Sequence, residues 1–193
     1  MTTTHLLYLH GFRSSPASTK ARMTAAAVAE RFPRVTWLCP ALPASPKEAM
    51  DGVERAIAAW PRESMAIIGS SLGGFYATWL AEKYGCKAVL LNPAVHPARD
   101  LAQHLGDNTH WHDPEQHFVF EASYIPELQA QEVFRLTLPS RYLTVIAKGD
   151  EVLDWREMVT LYAGATIKLL PAGDHALSDY AQHLDEVLAF VGL

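Results

Sequence analysis

Short apolar runs alternate along the chain with longer segments whose apolar residues recur at helical spacing. Most of the short runs are continuously apolar, which is typical of parallel strands that are covered by helices on both faces. Strands are therefore predicted at residues 6–9, 35–38, 65–68, 88–91, 142–147 and 166–170.

Helices are predicted between these runs, at residues 18–31, 46–60, 72–84 and 178–191. The first begins at Ser18, a residue type that can cap a helix, and the third stops at Gly85. This alternation predicts an α/β fold with three layers (α/β/α) and a mostly parallel sheet of about six strands. Because ligands bind at the carboxyl ends of parallel strands, the residues directly after each strand are the first candidates for function.

The segment 97–140 interrupts the alternation, because it contains no clear strand. It holds Trp111, Phe118, Tyr124 and several histidines. We interpret it as an insertion, part helix and part loop, that lies over the strand ends as a cap or lid. Apart from this insertion, residues 1–193 are predicted to form a single domain.

Composition narrows the functional classes. The 16 basic and 21 acidic side chains give a formal net charge of −5, and the basic residues are scattered, so no nucleic-acid partner is expected. The apolar runs are too short for membrane insertion and the N-terminus lacks a signal-peptide pattern, which favours a cytoplasmic location.

Cys39 and Cys86 are predicted to be buried apolar residues, with a bridge or a reactive thiol as alternatives. Homo-oligomer formation is left open.

The third predicted strand is followed by Gly69-Ser70-Ser71-Leu72-Gly73-Gly74, which matches the pattern G-x-S-x-G with Ser71 at its centre. A serine at a sharp strand-to-helix turn is lifted out of the sheet, and small neighbours keep that turn free of clashes. Ser71 is therefore the candidate nucleophile. The backbone N–H of Leu72, at the start of the following helix, is a candidate donor to an oxyanion. A structural turn with an inert serine is the alternative.

A serine hydroxyl needs a base to remove its proton. His175 follows the sixth predicted strand in a glycine-containing loop and is the candidate base. Asp150 directly follows the fifth strand and is the candidate for orienting the imidazole. Asp154 is expected to cap the next helix, and Asp174 adjoins His175 and is poorly placed to reach its ring.

The first predicted strand ends in a loop that begins His10-Gly11-Phe12. The backbone N–H of Phe12 is the candidate second donor to the oxyanion. His10 is predicted to fix this loop by hydrogen bonds instead of acting as a base. The resulting chain order of serine, aspartate and histidine is the order expected for an α/β-hydrolase sheet.

At these motifs the chain resembles the α/β-hydrolase superfamily, and more closely the small bacterial YqiA-like esterases. The resemblance is carried by residues 8–16, 69–78, 91–95, 149–154 and 173–175. It implies esterase or thioesterase activity on acyl substrates, no cofactor, and a catalytic triad of Ser71, Asp150 and His175. The segment 97–140 departs most from the family, and it would shape the pocket for the acyl group.

These observations predict a serine esterase that hydrolyses carboxylic esters of short to medium acyl chains through an acyl-enzyme on Ser71. One alternative is an acyl-CoA thioesterase with the same triad, although no basic cluster suggests a site for coenzyme A. Another is a catalytically silent binding protein on a hydrolase fold. A metal-dependent hydrolase was weighed because of His104, His110, His112 and His117, but their spacing matches no known ligand pattern, so no metal is predicted.

Overall fold

The computed structural model describes residues 2–111 and 113–193. The strands in this part of the chain are β1 (His5–Leu9), β2 (Thr36–Leu38), β3 (Met65–Ser70), β4 (Lys87–Leu91), β5 (Gly106–His110), β6 (Asp113–Phe120), β7 (Tyr142–Ala147) and β8 (Thr166–Leu170). The α-helices are α1 (Thr19–Arg31), α2 (Pro46–Ala56), α3 (Leu72–Tyr84), α4 (Pro97–Asp100), α5 (Tyr124–Ala130), α6 (Trp155–Leu161) and α7 (Leu184–Val191).

The main sheet has the strand order β2-β1-β3-β4-β7-β8, and every neighbouring pair in it is parallel. All six predicted strands are present in this sheet, so the predicted fold class is confirmed. From β1 the chain passes outward to β2 and then returns to β3 on the other side of β1. The loops after β1 and β3 therefore diverge, and this point of the sheet edge is where a crevice for a ligand is expected.

The sheet separates two apolar clusters, as alternation along its strands requires. In β1, Leu6 and Tyr8 belong to one cluster, whereas Leu7 and Leu9 belong to the other. Helices α1 and α7 cover the first cluster, and helices α2, α3 and α6 cover the second. The result is the predicted three-layer arrangement, with the sheet buried on both faces.

The insertion differs from its prediction. Residues 97–140 contain helices α4 and α5, as expected, but also an antiparallel hairpin of β5 and β6 where no strand was predicted. The side chains of β6 are mostly exposed, and only its last part, with Phe118 and Phe120, turns toward the core. A strand with so few buried positions has no apolar alternation to reveal it. The interpretation of this stretch as helix and loop alone was wrong.

Two helix boundaries also differ from prediction. Helix α2 ends at Ala56 instead of residue 60, and the turns that follow place the ring of Trp60 against His5, 4.9 Å between centroids. Helix α7 begins at Leu184, because residues 180–182 form a separate 3-10 turn in which Tyr180 is buried. In both places an aromatic side chain, Trp60 or Tyr180, packs against the rest of the fold in a turn where the prediction placed helix.

Both cysteines are free thiols, so the alternative of a bridge is wrong. Burial raises the pKa of each thiol, Cys39 and Cys86, to about 12. Thiols with such a pKa carry almost no thiolate at neutral pH and are inert as nucleophiles. In residues 2–111 and 113–193, no helix has the length and apolar character needed to cross a membrane.

Candidate active site

Ser71 occupies the turn between β3 and α3 with φ 55° and ψ −120°. Such a conformation is rare for a residue with a side chain and costs about 1–3 kcal/mol. Hydrogen bonds hold the turn on both sides: the Ser71 N–H donates to the carbonyl of Leu91 at 3.0 Å, and its carbonyl accepts from the N–H groups of Gly74 and Ala94 at 2.9 and 3.0 Å. The strained backbone is therefore fixed by its surroundings.

The two outer glycines of the serine motif are required by close backbone contacts. A Cβ on Gly69 would lie 2.2 Å from the carbonyl oxygen of Gly73, and a Cβ on Gly73 would lie 2.0 Å from that of Leu9. Only glycine lets the first turn of α3 approach the ends of β1 and β3 this closely. The motif thus aims the Ser71 hydroxyl away from the sheet edge.

The structure brings Ser71, His175 and Asp150 together. His175 Nε2 lies 3.0 Å from Ser71 Oγ, and His175 Nδ1 lies 2.8 and 3.0 Å from the two carboxylate oxygens of Asp150. The Asp150 side chain is fully buried, whereas that of His175 is 20% exposed. Because a carboxylate can only accept, Nδ1 carries the imidazole proton, and Nε2 is left to accept from the serine hydroxyl.

The Asp150 carboxylate is oriented by its own loop. Its Oδ1 accepts hydrogen bonds from the backbone N–H groups of Val152 and Leu153 at 2.9 and 2.8 Å. These bonds satisfy the buried charge together with the imidazole. The carboxylate is consequently held in one orientation toward His175.

Two other carboxylates, one close in sequence to Asp150 and one adjoining His175, are engaged elsewhere. Asp154 caps α6 and accepts from the N–H of Arg156 at 2.9 Å. Asp174 accepts from the N–H and the hydroxyl of Ser178 at 2.9 and 2.6 Å. Neither is hydrogen-bonded to the imidazole, in agreement with the sequence argument that set them aside.

The loops after β7 and β8 are packed directly against each other. A Cβ on Gly149 would lie 2.2 Å from the carbonyl oxygen of Gly173, so these backbones touch where any side chain would separate them. In addition, the His175 N–H donates to the Glu151 carboxylate at 2.9 Å. This contact sets the spacing between the loop of Asp150 and the loop of His175.

Asn92 is a positioning residue to which sequence reasoning assigned no role. Its side chain is fully buried, and its Nδ2 donates to the carbonyls of Asp174 and His175 at 3.0 and 3.2 Å. Its Oδ1 accepts from the N–H of Ala147 at 2.8 Å. One amide thus joins the ends of β4 and β7 to the loop of His175. The available signal was a polar residue directly after a buried strand.

The loop after β1 lies against Ser71. A Cβ on Gly11 would be 3.1 Å from Ser71 Cβ and 3.6 Å from its Oγ. Within residues 2–111 and 113–193, the backbone N–H groups of Phe12 and Leu72 have no hydrogen-bond acceptor. Both predicted oxyanion donors are therefore free to bind an acceptor beside the serine.

The His10 ring holds this loop in place through two hydrogen bonds. Its Nε2 accepts from the N–H of Leu42 at 3.1 Å, so its Nδ1 carries the proton and donates to the carbonyl of Gly11 at 3.0 Å. Burial lowers the pKa of His10, which favours the neutral ring. These contacts agree with the structural role predicted for His10.

The β5–β6 hairpin is fastened to the same loop. The Phe12 ring packs edge-on against Phe118 at 5.6 Å between centroids. The Arg13 guanidinium donates to the carbonyl and the hydroxyl of Thr109 at 2.6 and 3.0 Å, and it lies 4.1 Å from the centroid of the Trp111 ring. The insertion therefore contacts the segment that carries one candidate oxyanion donor.

Two cavities meet at the loop after β1. One, of about 530 Å³, is lined by Ser71 and His175 together with Trp111 and Lys20. The other, of about 440 Å³, contains neither candidate catalytic side chain and is walled by Leu42, Pro43, Tyr76 and Phe118 among others. Both volumes fall in the range typical of small-molecule sites.

The histidines of the insertion do not gather in the described residues. His117 pairs with Asp107 at 2.8 Å, and the His104 ring packs on Phe12. In residues 2–111 and 113–193, no group of three or more His, Cys, Asp or Glu side chains is arranged to hold a metal ion. His112, which was weighed with them, lies outside the described residues.

The parallel sheet with a serine at a strand-to-helix turn defines an α/β-hydrolase fold, and solved structures share it. The chain is similar to the α/β hydrolase domain-containing protein 10 from mouse, with a TM-score of 0.73, 13% identity, and coverage of 98% of this chain and 88% of that chain. A lipolytic enzyme from a metagenome, of the LipS and LipT pair, has a TM-score of 0.72, 17% identity, and coverage of 99% and 94%. The esterase domain of a Rhodothermus marinus protein has a TM-score of 0.70, 18% identity, and coverage of 100% and 88%.

Residues 5–192 match the family described as "Uncharacterised protein family (UPF0227)", and the chain belongs to this family. Relatives in it include the UPF0227 proteins of Yersinia pseudotuberculosis serotype O:1b (strain IP 31758) and Yersinia pestis bv. Antiqua (strain Angola). Each is 25% identical over 189 residues, which cover 96% of this chain and 97% of the relative. The predicted resemblance to the α/β-hydrolase superfamily and its YqiA-like group is thereby confirmed.

Proposed function

We propose that the protein is a serine esterase that hydrolyses carboxylic esters of short to medium acyl chains through an acyl-enzyme on Ser71. The observation that carries the proposal is the continuous hydrogen-bonded path from Ser71 Oγ through His175 to the buried Asp150, at 3.0 and 2.8 Å. A nucleophile, a base and a group that orients the base are the parts that acyl transfer needs.

In this mechanism His175 Nε2 removes the proton of the Ser71 hydroxyl as Oγ attacks the ester carbonyl carbon. Asp150 holds the ring and stabilises the imidazolium that forms. The tetrahedral intermediate collapses, the C–O bond to the alcohol breaks, and the alcohol leaves with the proton from Nε2. Water then attacks the acyl-enzyme with His175 as base, which releases the acid and restores Ser71.

The oxyanion of the intermediate would accept hydrogen bonds from the N–H groups of Phe12 and Leu72. Both are unpaired within the described part of the chain, and Leu72 is the first residue of α3, whose N-terminus carries a partial positive charge. Donors that are already in place stabilise the developing charge without reorganisation. The contacts of Phe12 and Arg13 with the hairpin support this placement of the loop.

The two cavities support a substrate of modest size. The cavity of about 530 Å³ at Ser71 and the neighbouring one of about 440 Å³, whose walls are part apolar and part polar, could accept the two sides of an ester. Similarity of fold to a lipolytic enzyme and to an esterase domain is in line with this chemistry, although fold alone does not define activity.

The test is hydrolysis of p-nitrophenyl esters, from acetate to dodecanoate, by wild type and by Ser71→Ala. We expect turnover by wild type and a loss of at least about 10⁴-fold in kcat for Ser71→Ala, because the covalent route is removed. Labelling by a fluorophosphonate, followed by mass spectrometry, should modify Ser71 in wild type. Ser70→Ala, the matched control in the same motif, should still be labelled at Ser71.

Activity of Ser71→Ala at the wild-type level would contradict the proposal. If wild type neither hydrolyses any ester of the series nor reacts with the fluorophosphonate, the chain is a binding protein on a hydrolase fold. Labelling without turnover would keep Ser71 as a nucleophile and reject simple esters as substrates.

A further inference from the structure

Lys20 lies in the first turn of α1 and lines the cavity that contains Ser71 and His175. Its ammonium donates a hydrogen bond to the carbonyl oxygen of Ala176, the residue directly after His175. A cation therefore stands in the wall of the cavity beside the candidate base. The proposed mechanism makes no use of it.

In the described part of the chain, this ammonium has no ionic partner. Within residues 2–111 and 113–193, no carboxylate oxygen lies within 4.0 Å of Lys20 Nζ. The nearby carboxylates already accept from other donors: Asp150 from the imidazole of His175, Glu151 from the backbone N–H of His175, and Asp174 from its own loop. Among the residues that the structure describes, Lys20 Nζ is hydrogen-bonded only to the neutral carbonyl of Ala176.

Burial makes this state costly for a charged group. Loss of solvent lowers the pKa of Lys20 to about 8, although Asp174 and Asp150 act in the opposite direction. A half-buried ammonium without a counter-ion is stabilised by any anion that can reach it. A cationic side chain with a perturbed pKa in a cleft is also a recognised mark of a functional site.

The wall around Lys20 suits a small anionic group attached to an apolar chain. Hydroxyl side chains, which can donate to an anionic oxygen, line the same cavity at Ser14, Ser18 and Thr19. Apolar side chains line it at Met23, Val152 and Leu177. The Glu151 carboxylate also lines the cavity, where it accepts from the His175 N–H. Because the cavity offers one lysine beside this carboxylate, it matches one small charge better than several phosphates.

We propose that Lys20 binds a carboxylate of the substrate, so that the preferred substrates are esters that carry a free carboxylate, such as half-esters of dicarboxylic acids. This inference rests on the proposed esterase function of Ser71 and names its substrate class. The ammonium and the neighbouring hydroxyls would hold the carboxylate while the ester carbonyl lies at Ser71. Such charge-assisted hydrogen bonds are stronger than neutral ones.

The experiment compares matched pairs of esters that differ only in a carboxylate or a carboxamide. Monoethyl glutarate is paired with ethyl glutaramate, with the charge on the acyl side. The second pair is 3-acetoxypropionate and 3-acetoxypropionamide, with the charge on the alcohol side. The measured quantity is the ratio of kcat/KM within each pair. The rates are obtained by titrating the released acid with base at constant pH.

We expect wild type to prefer the carboxylate member of at least one pair by about 10- to 100-fold, the value of one charge-assisted hydrogen bond. Lys20→Met should bring this ratio close to one, whatever its absolute rates, and Lys20→Arg should retain most of it. Lys87→Met is the matched control, because Lys87 Nζ also donates to a backbone carbonyl, that of Phe190 at 2.9 Å, but at the amino end of β4. Its ratio should equal that of wild type.

The ratio should also depend on pH. An ammonium is charged below its pKa, so the preference is full well below about pH 8 and is lost as the pH rises through it. Both members of a pair use the same Ser71 and His175, so the titration of the base cancels in the ratio. Lys20→Arg should show a flat ratio over this range.

Other titratable groups face the same cavity, and none changes its charge in the way that Lys20 does. Burial raises the pKa of the Tyr8 phenol well above its ordinary value and that of Tyr180 to about 12, so both phenols stay neutral in this pH range. The pKa of Asp174 is lowered by its hydrogen bonds to Ser178, so its charge does not change above neutral pH. Burial lowers the pKa of His10, which also lines the cavity, so its ring stays neutral in this range. The other titratable groups on these loops are Asp150, Glu151 and His175.

The outcomes separate the two proposals. A ratio close to one in wild type for both pairs, or a ratio that Lys20→Met leaves unchanged, would overturn the role of Lys20. If those esters are still hydrolysed in a Ser71-dependent manner, the esterase proposal stands without it. If wild type hydrolyses none of the four esters nor any p-nitrophenyl ester, the proposed function itself fails.

Discussion

The carboxyl edge of the main sheet and the β5–β6 hairpin face each other across the loop that carries Phe12, and they are built in opposite ways. Every residue of β3 and of β7 is buried, whereas most side chains of β6 are exposed. At the sheet edge, loops touch backbone to backbone, as at Gly149 and Gly173. The hairpin is attached through side chains, among them Arg13 on Thr109, and through a hydrogen bond from the Trp111 N–H to the Arg13 carbonyl at 2.8 Å.

This difference separates two tasks. Buried strands and backbone contacts leave the loops after β3, β7 and β8 little freedom, so they can hold Ser71, Asp150 and His175 in register. The hairpin exposes Trp111 (66%) and Val119 (57%), and regions with few buried contacts open at low free-energy cost. We infer that the sheet edge sets the chemical step, whereas the hairpin shapes the cavity. Substitutions at the edge should therefore act mainly on kcat, and those at the hairpin mainly on KM.

The largest effect is expected for Asp150→Asn. An amide at this position favours the wrong tautomer of His175 and does not stabilise the imidazolium, so kcat should fall by about 10⁴-fold. The control is Asp154→Asn, because Asp154 caps α6 at the surface and asparagine caps equally well. Ester hydrolysis is the measurement, and a similar loss in both variants would show that Asp150 has no special role.

A smaller loss is expected for Gly149→Ala. The added Cβ would lie 2.2 Å from the carbonyl oxygen of Gly173, which forces apart the loops of Asp150 and His175. A displacement of the order of 1 Å at a reacting group costs about 100-fold in rate. The matched control is Gly52→Ala in helix α2, where the nearest atom to the new Cβ is 3.8 Å away. That change should raise the free energy of unfolding by about 0.5–1 kcal/mol and leave activity unaltered.

Thermal unfolding of both glycine variants is measured beside ester hydrolysis. The comparison distinguishes a local displacement of the loops from a general loss of stability. Gly149→Ala should lose activity even well below its unfolding temperature. Full activity of folded Gly149→Ala would mean that the contact between the two loops does not position the site.

The smallest effect is expected where the hairpin meets the edge. Arg13→Met removes the hydrogen bonds to Thr109 and the contact with Trp111, so the cavity wall should loosen. We expect the loss of these partly exposed interactions to weaken substrate binding by about 1–2 kcal/mol. This free energy corresponds to a rise in KM of about 5- to 30-fold, with little change in kcat. Arg34→Met, at an exposed position before β2, is the control. A loss of kcat larger than that of Gly149→Ala would contradict the division between edge and hairpin.

The polarity of these regions explains which parts of the molecule were predictable. Strands β1, β3, β4 and β7 are buried on both faces, so each had to be a continuous apolar run, and such runs are visible in a sequence. The hairpin strands leave most side chains in water, so their sequences carry no such constraint and they were missed. Asn92 was not assigned a role because its three partners lie 55, 82 and 83 residues further along the chain.

By itself, the sequence determined the strand–helix alternation, the serine turn, and the order of Ser71, Asp150 and His175 after three of the parallel strands. Those features depend on local rules: burial dictates apolar runs, and a strained turn dictates its glycines. Only the tertiary structure decided the distances between these groups, what holds the loops at their spacing, and that Lys20 from the first helix enters the cavity of Ser71. These are contacts between residues distant in the chain, and their distances follow from packing in three dimensions, which no local pattern encodes.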